Sequence, residues 1–214
     1  MQEIKRFRLI AATLLPLGLL AGSAGAAGLT WSCPTNPPPL RVEVRYEGGP
    51  GLSAANRAYV TAGTNKFAFL LPVGFRLETS DNQRVTLVSA DYNSILTWRL
   101  LGPVRVESPD FDPTTCRELL LERRVGGKIL DECTLPAAGQ RGPAFELRWN
   151  ASGGAPRCER VVFVPARAGV MEFSLVSSPE KFKATQPDFD LVLLSFRASG
   201  ADGKLVVPML SDKL

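Results

Sequence analysis

From residue 66 to residue 176 the chain is cut into short runs rich in β-branched and aromatic residues, and turn residues separate the runs at intervals that suit strands. Residues 66–71 and 74–78 flank Pro72-Val73, which breaks or bulges the pairing because proline has no N–H to give to a ladder. Residues 84–89 and 94–100 are joined by Ala90-Asp91-Tyr92-Asn93, a hairpin turn, so 66–106 reads as one β-meander. A second meander follows over 128–135, 144–149, 159–164 and 170–176, with turns at Ala138-Gly139, Ser152-Gly153-Gly154 and 166–169. One helical signal lies between them. Asp112 suits the N-cap, Pro113 suits the first helical position, Leu119 and Leu120 supply a core face, and Gly126-Gly127 stops the helix after Arg124. A second helix is expected over 187–197, where Phe189, Val192, Leu193 and Phe196 recur on one face. Asp188 and Asp190 would then lie near its positive end and Arg197 near its negative end. The expected fold is α+β: an antiparallel sheet of two β-meanders flanked by helices.

The N-terminus reads as a leader. Lys5, Arg6 and Arg8 precede an apolar run over 9–20, and Ala24-x-Ala26 places small side chains where signal peptidase needs them. Residues 1–26 are therefore expected to be a signal peptide cut after Ala26. The apolar run is shorter than the ~20 residues that a bilayer demands, and no later segment is apolar enough to span one. Residues 27–65 are a Pro-rich lead-in with one strand, 40–46, where apolar and charged residues alternate, and a linker in which 53–59 could form a short helix capped by Ser53. The domain proper is expected over 66–198, followed by a tail at 199–214 in which Leu205-Val206-Val207 could add an edge strand.

Four cysteines, Cys33, Cys116, Cys133 and Cys158, follow the leader. In an oxidising compartment an even number reads as two disulfides; a zinc site made of cysteine alone usually shows a close Cys-x2-Cys pair, and none occurs. If Cys116 starts the helix and Cys133 lies late in the returning strand, a climb of about 12 Å and a descent of about 17 Å leave the two thiols at similar heights. The expected pairs are therefore Cys116–Cys133 and, by elimination, Cys33–Cys158.

The chain contains no histidine, which removes Ser-His-Asp and Cys-His catalysis and every His-ligated metal site. The formal charge of +4 falls to about +2 without the leader, and the arginines alternate with acids, so no nucleic-acid footprint is present. The paired Arg123-Arg124 reads as a solvated helix end. Pro-Asp-Phe-Asp occurs at 109–112 and 187–190. Its carboxylates, with Asp110, Asp112 and Glu118 as the candidate cluster, could bind Ca²⁺ or act as acid and base, whereas the plainer reading is that both copies open helices. Cys116 could be a nucleophile at a helix N-terminus, but with no base available a structural role is favoured. Asn150-Ala151-Ser152 matches a glycosylation acceptor, and Trp31, Trp98 and Trp149 read as core or edge aromatics.

The stretch Phe67-Ala68-Phe69-Leu70-Leu71-Pro72-Val73-Gly74-Phe75 is an aromatic strand running into Pro-x-Gly-aromatic. With Arg160-Val161-Val162-Phe163-Val164-Pro165, Gly169-Val170-Met171-Glu172-Phe173-Ser174-Leu175 and the helix ending Leu194-Ser195-Phe196-Arg197, it resembles PsbP-like domains over roughly 66–198. The resemblance implies a central antiparallel sheet flanked by helices. It also implies a non-enzymatic role, because such proteins are extrinsic subunits of larger assemblies. It carries over no functional residue. The sequence is thus read as an exported, non-catalytic binding or accessory protein with no cofactor, docking on an envelope or extracellular protein; a secreted carboxylate-based hydrolase acting on glycans is the alternative.

Overall fold

The computed structural model of the chain describes residues 40–49, 52–63, 65–81, 84–101, 112–166, 169–199 and 205–206. Among these residues the fold has two antiparallel sheets and two helices. The larger sheet joins two meanders edge to edge. One is β4 (Phe75–Asp81), β5 (Arg84–Ser89) and β6 (Ser94–Leu101); the other is β7 (Lys128–Ala137), β8 (Gln140–Asn150), β9 (Pro156–Ala166) and β10 (Gly169–Ser177). β6 pairs with β10 along Val170↔Leu101 to Ser177↔Ser94, giving the order β4-β5-β6-β10-β9-β8-β7. The smaller sheet runs β1-β2-β3-β11-β12, from β1 (Leu40–Gly49), β2 (Leu52–Ala62), β3 (Asn65–Leu70), β11 (Arg197–Ser199) and β12 (Leu205–Val206). Pro72-Val73 is therefore where the chain leaves one sheet for the other, and the expected first meander divides there.

Residues 53–59 form part of β2 and not a helix. Their alanines favour a helix locally, but Tyr59-Val60-Thr61 are strand formers, and pairing with both β1 and β3 buries Ala58, Val60 and Ala62. The β1–β2 hairpin is thus part of the domain core, with Leu40 and Val42 packed against it, and not a linker ahead of the domain.

Helix α1 (Pro113–Arg123) begins as expected: Asp112 is the N-cap, and its carboxylate accepts a 2.7 Å hydrogen bond from Thr115 N. Helix α2 (Pro179–Ser195) begins two turns earlier than expected, at Ser178-Pro179-Glu180, with Pro187 inside it. The second Pro-Asp-Phe-Asp therefore lies within a helix and does not open one. Proline at the first helical position marks both starts, Pro113 for α1 and Pro179 for α2. Phe182, Phe189, Val192 and Leu193 of α2 are buried, as is Phe196 just beyond it.

The helices take opposite faces of the larger sheet. On the α2 side, Val85, Leu87, Leu96, Trp98, Phe173 and Leu175 meet α2 and the smaller sheet in the main core. On the α1 side, Cys116 and Leu120 pack on Leu101, Phe145, Leu147, Val161, Phe163 and Val170. Gly142 of β8 is fixed by close approach: a Cβ there would stand 1.7 Å from the Phe163 carbonyl oxygen, so no side chain fits.

Candidate functional site

The candidate carboxylates are Asp110, Asp112 and Glu118. Asp110 lies outside the described residues. Asp112 is occupied as the α1 cap. Glu118 is exposed on α1 six residues further on, which places it about 120° around the helix axis from Asp112. Among the described residues no group of three or more acidic or thiol side chains is placed to hold a metal ion.

The charged groups that do come together lie under α1. Glu172 projects from β10 into the α1 side of the sheet and is 7% exposed. Arg99, its neighbour on β6, donates from Nε at 3.0 Å and from Nη2 at 2.7 and 2.8 Å. Arg123, at the end of α1, adds a fourth hydrogen bond at 2.7 Å. One strand away, Glu159 of β9 is 2% exposed and takes a two-pronged contact from Arg124 at 2.6 and 2.8 Å. The Arg124 guanidinium also lies 4.6 Å above the Trp149 ring. Arg123-Arg124 is thus not a solvated helix end: both guanidiniums are turned onto buried glutamates and fasten the last turn of α1 to the sheet. Charge-assisted, two-pronged contacts of this kind are the stronger hydrogen bonds. They leave neither carboxylate free to act as a base. The sequence signal was available for Glu172, a lone acid inside a run otherwise reading as a buried strand, whereas Glu159 stands between arginines at the start of its run.

A third arginine–glutamate pair, Arg160–Glu146, lies on the α2 side, where Gln186 donates to Glu146 at 3.2 Å and Asp190 stands 3.9 Å from Arg160. Beneath α2 a void of about 10 Å³ is lined by Phe69, Trp98, Phe173, Phe189 and their apolar neighbours; it is too small for an organic ligand. Trp98 is core, Trp149 is half-buried, and Asn150 is exposed at the end of β8.

The expected Cys116–Cys133 bridge is overturned by the register. β7 shifts register between Ile129 and Asp131, which places Ile129 opposite Leu147 but Glu132 opposite Phe145 and Cys133 opposite Ala144. Phe145 and Leu147 belong to the α1 side and Ala144 to the α2 side. A one-residue slip turns a strand's side chains to the other face. It gives the α1 side to Glu132, which pairs with Arg117 at 3.2 Å, and turns Cys133 away from Cys116. Cys133 and Cys158 share the α2 side but are separated by β8 and a four-residue offset, about 10 Å across and about 13 Å along. Among the described residues Cys116, Cys133 and Cys158 are not bridged to one another. Cys33, and with it the expected Cys33–Cys158 pair, lies outside those residues. Burial, then the carboxylates of Asp112 and Glu172, push the Cys116 thiol up to about 12, the opposite of an activated nucleophile.

No family profile matches the chain, and no curated protein matches it. Solved structures do. The solution structure of cyanobacterial PsbP (CyanoP) from Synechocystis sp. PCC 6803 matches with a TM-score of 0.47 and 14% identity, covering 77% of this chain and 96% of that one. The crystal structure of LpqN, involved in cell envelope biogenesis of Mycobacterium tuberculosis, matches with a TM-score of 0.44 and 14% identity over 75% of this chain and 92% of that one. Among the described residues the chain's own architecture is α+β, with two antiparallel sheets and two helices.

Proposed function

We propose that this protein is a non-catalytic accessory protein that is exported and docks on an envelope or extracellular protein. The observation that carries the reading is the state of its buried acids. Glu159 and Glu172 are saturated by arginines and work as fasteners of α1, and Asp112 is spent on a helix cap. A hydrolase of the carboxylate type needs two acids across a cleft, about 5–10 Å apart. Val73, in the turn between β3 and β4, and Val125, between α1 and β7, meanwhile stand in water at 98% and 90% exposure, and apolar side chains so placed are open to a protein contact. Among the described residues no helix is long and apolar enough to cross a membrane. Export rests on the leader, and it predicts a processed N-terminus near Ala27 by mass spectrometry of the native protein.

The test is a crosslinking pull-down of the tagged protein from the envelope of its host. A defined protein partner is expected, recovered equally by wild type and by Asp112→Asn. A glycan-hydrolysing activity that Asp112→Asn abolishes at an unchanged melting temperature would overturn the reading.

A further inference from the structure

β1 ends its sheet, and among the described residues no strand pairs with its outer side. Such an edge presents a row of N–H and C=O groups that another strand can complete, and proteins usually blunt it with bulges, very short strands, charged side chains or proline. The other edges here are blunted: β7 is bulged after Ile129, β4 shifts register after Glu78, and β12 has two residues. β1 is regular from Leu40 to Glu47.

Its residues alternate between two faces. Leu40, Val42, Val44 and Tyr46 share the face turned to the core, and Arg41, Glu43, Arg45 and Glu47 share the other. Leu40 and Val42 reach the core, whereas Val44 and Tyr46 run past it and are exposed.

We infer that β1 pairs antiparallel with β1 of a second copy of this chain, with Val44 on the two-fold axis. In that register Arg41 faces Glu47 of the second copy and Glu43 faces Arg45, and symmetry repeats both pairs. On the other face Val42 meets Tyr46 and Val44 meets Val44, cross-strand contacts of the kind that stabilise sheets. Centring the axis on Glu43 would place Glu43 against itself and Arg41 against Arg45. Centring it on Arg45 would place Glu43 against Glu47. Axes at Val42 or Tyr46 keep opposite charges together but shorten the overlap. Residues 41–47 then pair in full, within the regular part of β1, and Pro39 and Pro50, which have no N–H to donate, fall outside. The two five-stranded sheets become one across the interface. This inference stands apart from the docking proposal, which concerns a different protein.

The experiment is sedimentation equilibrium on the protein purified in the form the cell accumulates, over a wide concentration range. The wild type is expected to dimerise. Glu43→Arg alone and Arg45→Glu alone should each weaken the dimer about tenfold or more, because each reversal sets like charges opposite twice. The double exchange Glu43→Arg with Arg45→Glu should restore it, with circular dichroism unchanged throughout. Independently, Val44→Cys should give an oxidised covalent dimer above the wild-type background, and Tyr46→Cys, which faces Val42, should not. A monomeric wild type, single reversals that leave the dimer intact, a double exchange that fails to restore it, or crosslinking at Tyr46→Cys in place of Val44→Cys would each overturn the inference.

Discussion

On the side of the larger sheet under α2, the Phe196 ring lies 4.9 Å from Phe173, 5.3 Å from Trp98, 5.6 Å from Phe67 and 5.9 Å from Phe69. On the side under α1, the deepest acids, Glu172 and Glu159, take hydrogen bonds from Arg99, Arg123 and Arg124. The same strands build both faces, since alternate residues point to opposite sides. The α2 side holds by burial: α2 is 17 residues long, and the smaller sheet covers the same core. Its fully buried polar atoms include Ser94, Ser177 and Thr185, whose hydroxyls satisfy one another at 2.8 and 3.0 Å. The α1 side has an 11-residue helix that buries only Cys116 and Leu120. A helix with so small an apolar stripe needs directed contacts, and the two arginines at its end supply them. Burial tolerates repacking, but ion pairs need each partner in place.

The largest effect should come from breaking the α2 side. Phe196→Ala removes a fully buried ring that joins α2, both sheets and four aromatics, and it should cost about 3–5 kcal/mol in chemical denaturation. A loss below about 1 kcal/mol would mean that the aromatic cluster does not organise this core.

Glu172→Gln comes next. It leaves Arg99 and Arg123 without their carboxylate, but both guanidiniums are about a quarter to a third exposed and water screens them. The expected cost is about 1–3 kcal/mol, below the figure for a fully buried pair. The local consequence is sharper: α1 loses one of its fasteners, so Cys116 should become open to alkylation at denaturant concentrations where the wild type still protects it. Unchanged protection would show that Leu120 and its neighbours hold α1 without Glu172.

Thiol labelling compares the two faces without mutation. Cys133 is exposed on the α2 side of β7, and Cys116 is buried under α1 with its thiol pushed up to about 12 by burial first and nearby carboxylates second. After mild reduction at pH 8, Cys133 should alkylate at least about 100-fold faster than Cys116, as read from labelled peptides. Equal rates would remove the face assignment that rules out the Cys116–Cys133 bridge.

That assignment shows how far the sequence carried. Strand positions were legible because alternation and turn residues are local: β5 was read to the residue, and β6 and β10 within one or two. Asp112-Pro113 announced α1 for the same reason. Faces were not legible. The bulge at Leu130 has no glycine or proline to announce it, yet it turns every residue from Asp131 to Ala137 over, and a disulfide argued from heights alone fails on it. The α1 fasteners were half-legible. Glu172 sits in Val170-Met171-Glu172-Phe173, where an acid in a buried run demands a cation, but the partners come from elements 49 and 73 residues away. Hairpin β1–β2 was half-read because Ser53 to Tyr59 obeys helix propensity until β1 and β3 take it from both sides.

The smallest effect concerns a charge on the α2 side. Asp188 lies on α2 next to the buried Phe189, and partial burial raises its carboxyl above the usual aspartate range. Its neighbour Asp190 has Arg160 at 3.9 Å, and the acids under α1 have guanidiniums in direct contact. The sign follows from linkage. With the folded-state value raised, the folded protein holds its proton where the unfolded chain has already lost it. Stability therefore falls as pH rises from the ordinary aspartate range through the raised value, and above that window the whole cost of the charge is present. Asp188→Asn keeps the shape and a similar helix propensity but removes the ionisation. The variant should be more stable than wild type at pH 7, by no more than about 0.5 kcal/mol or about 2 °C in melting temperature because the group is only partly buried. Below the ordinary aspartate range the two proteins should melt together, since both are then neutral at 188. A variant less stable at pH 7, or one whose advantage persists at low pH, would mean that Asp188 is held by a favourable contact.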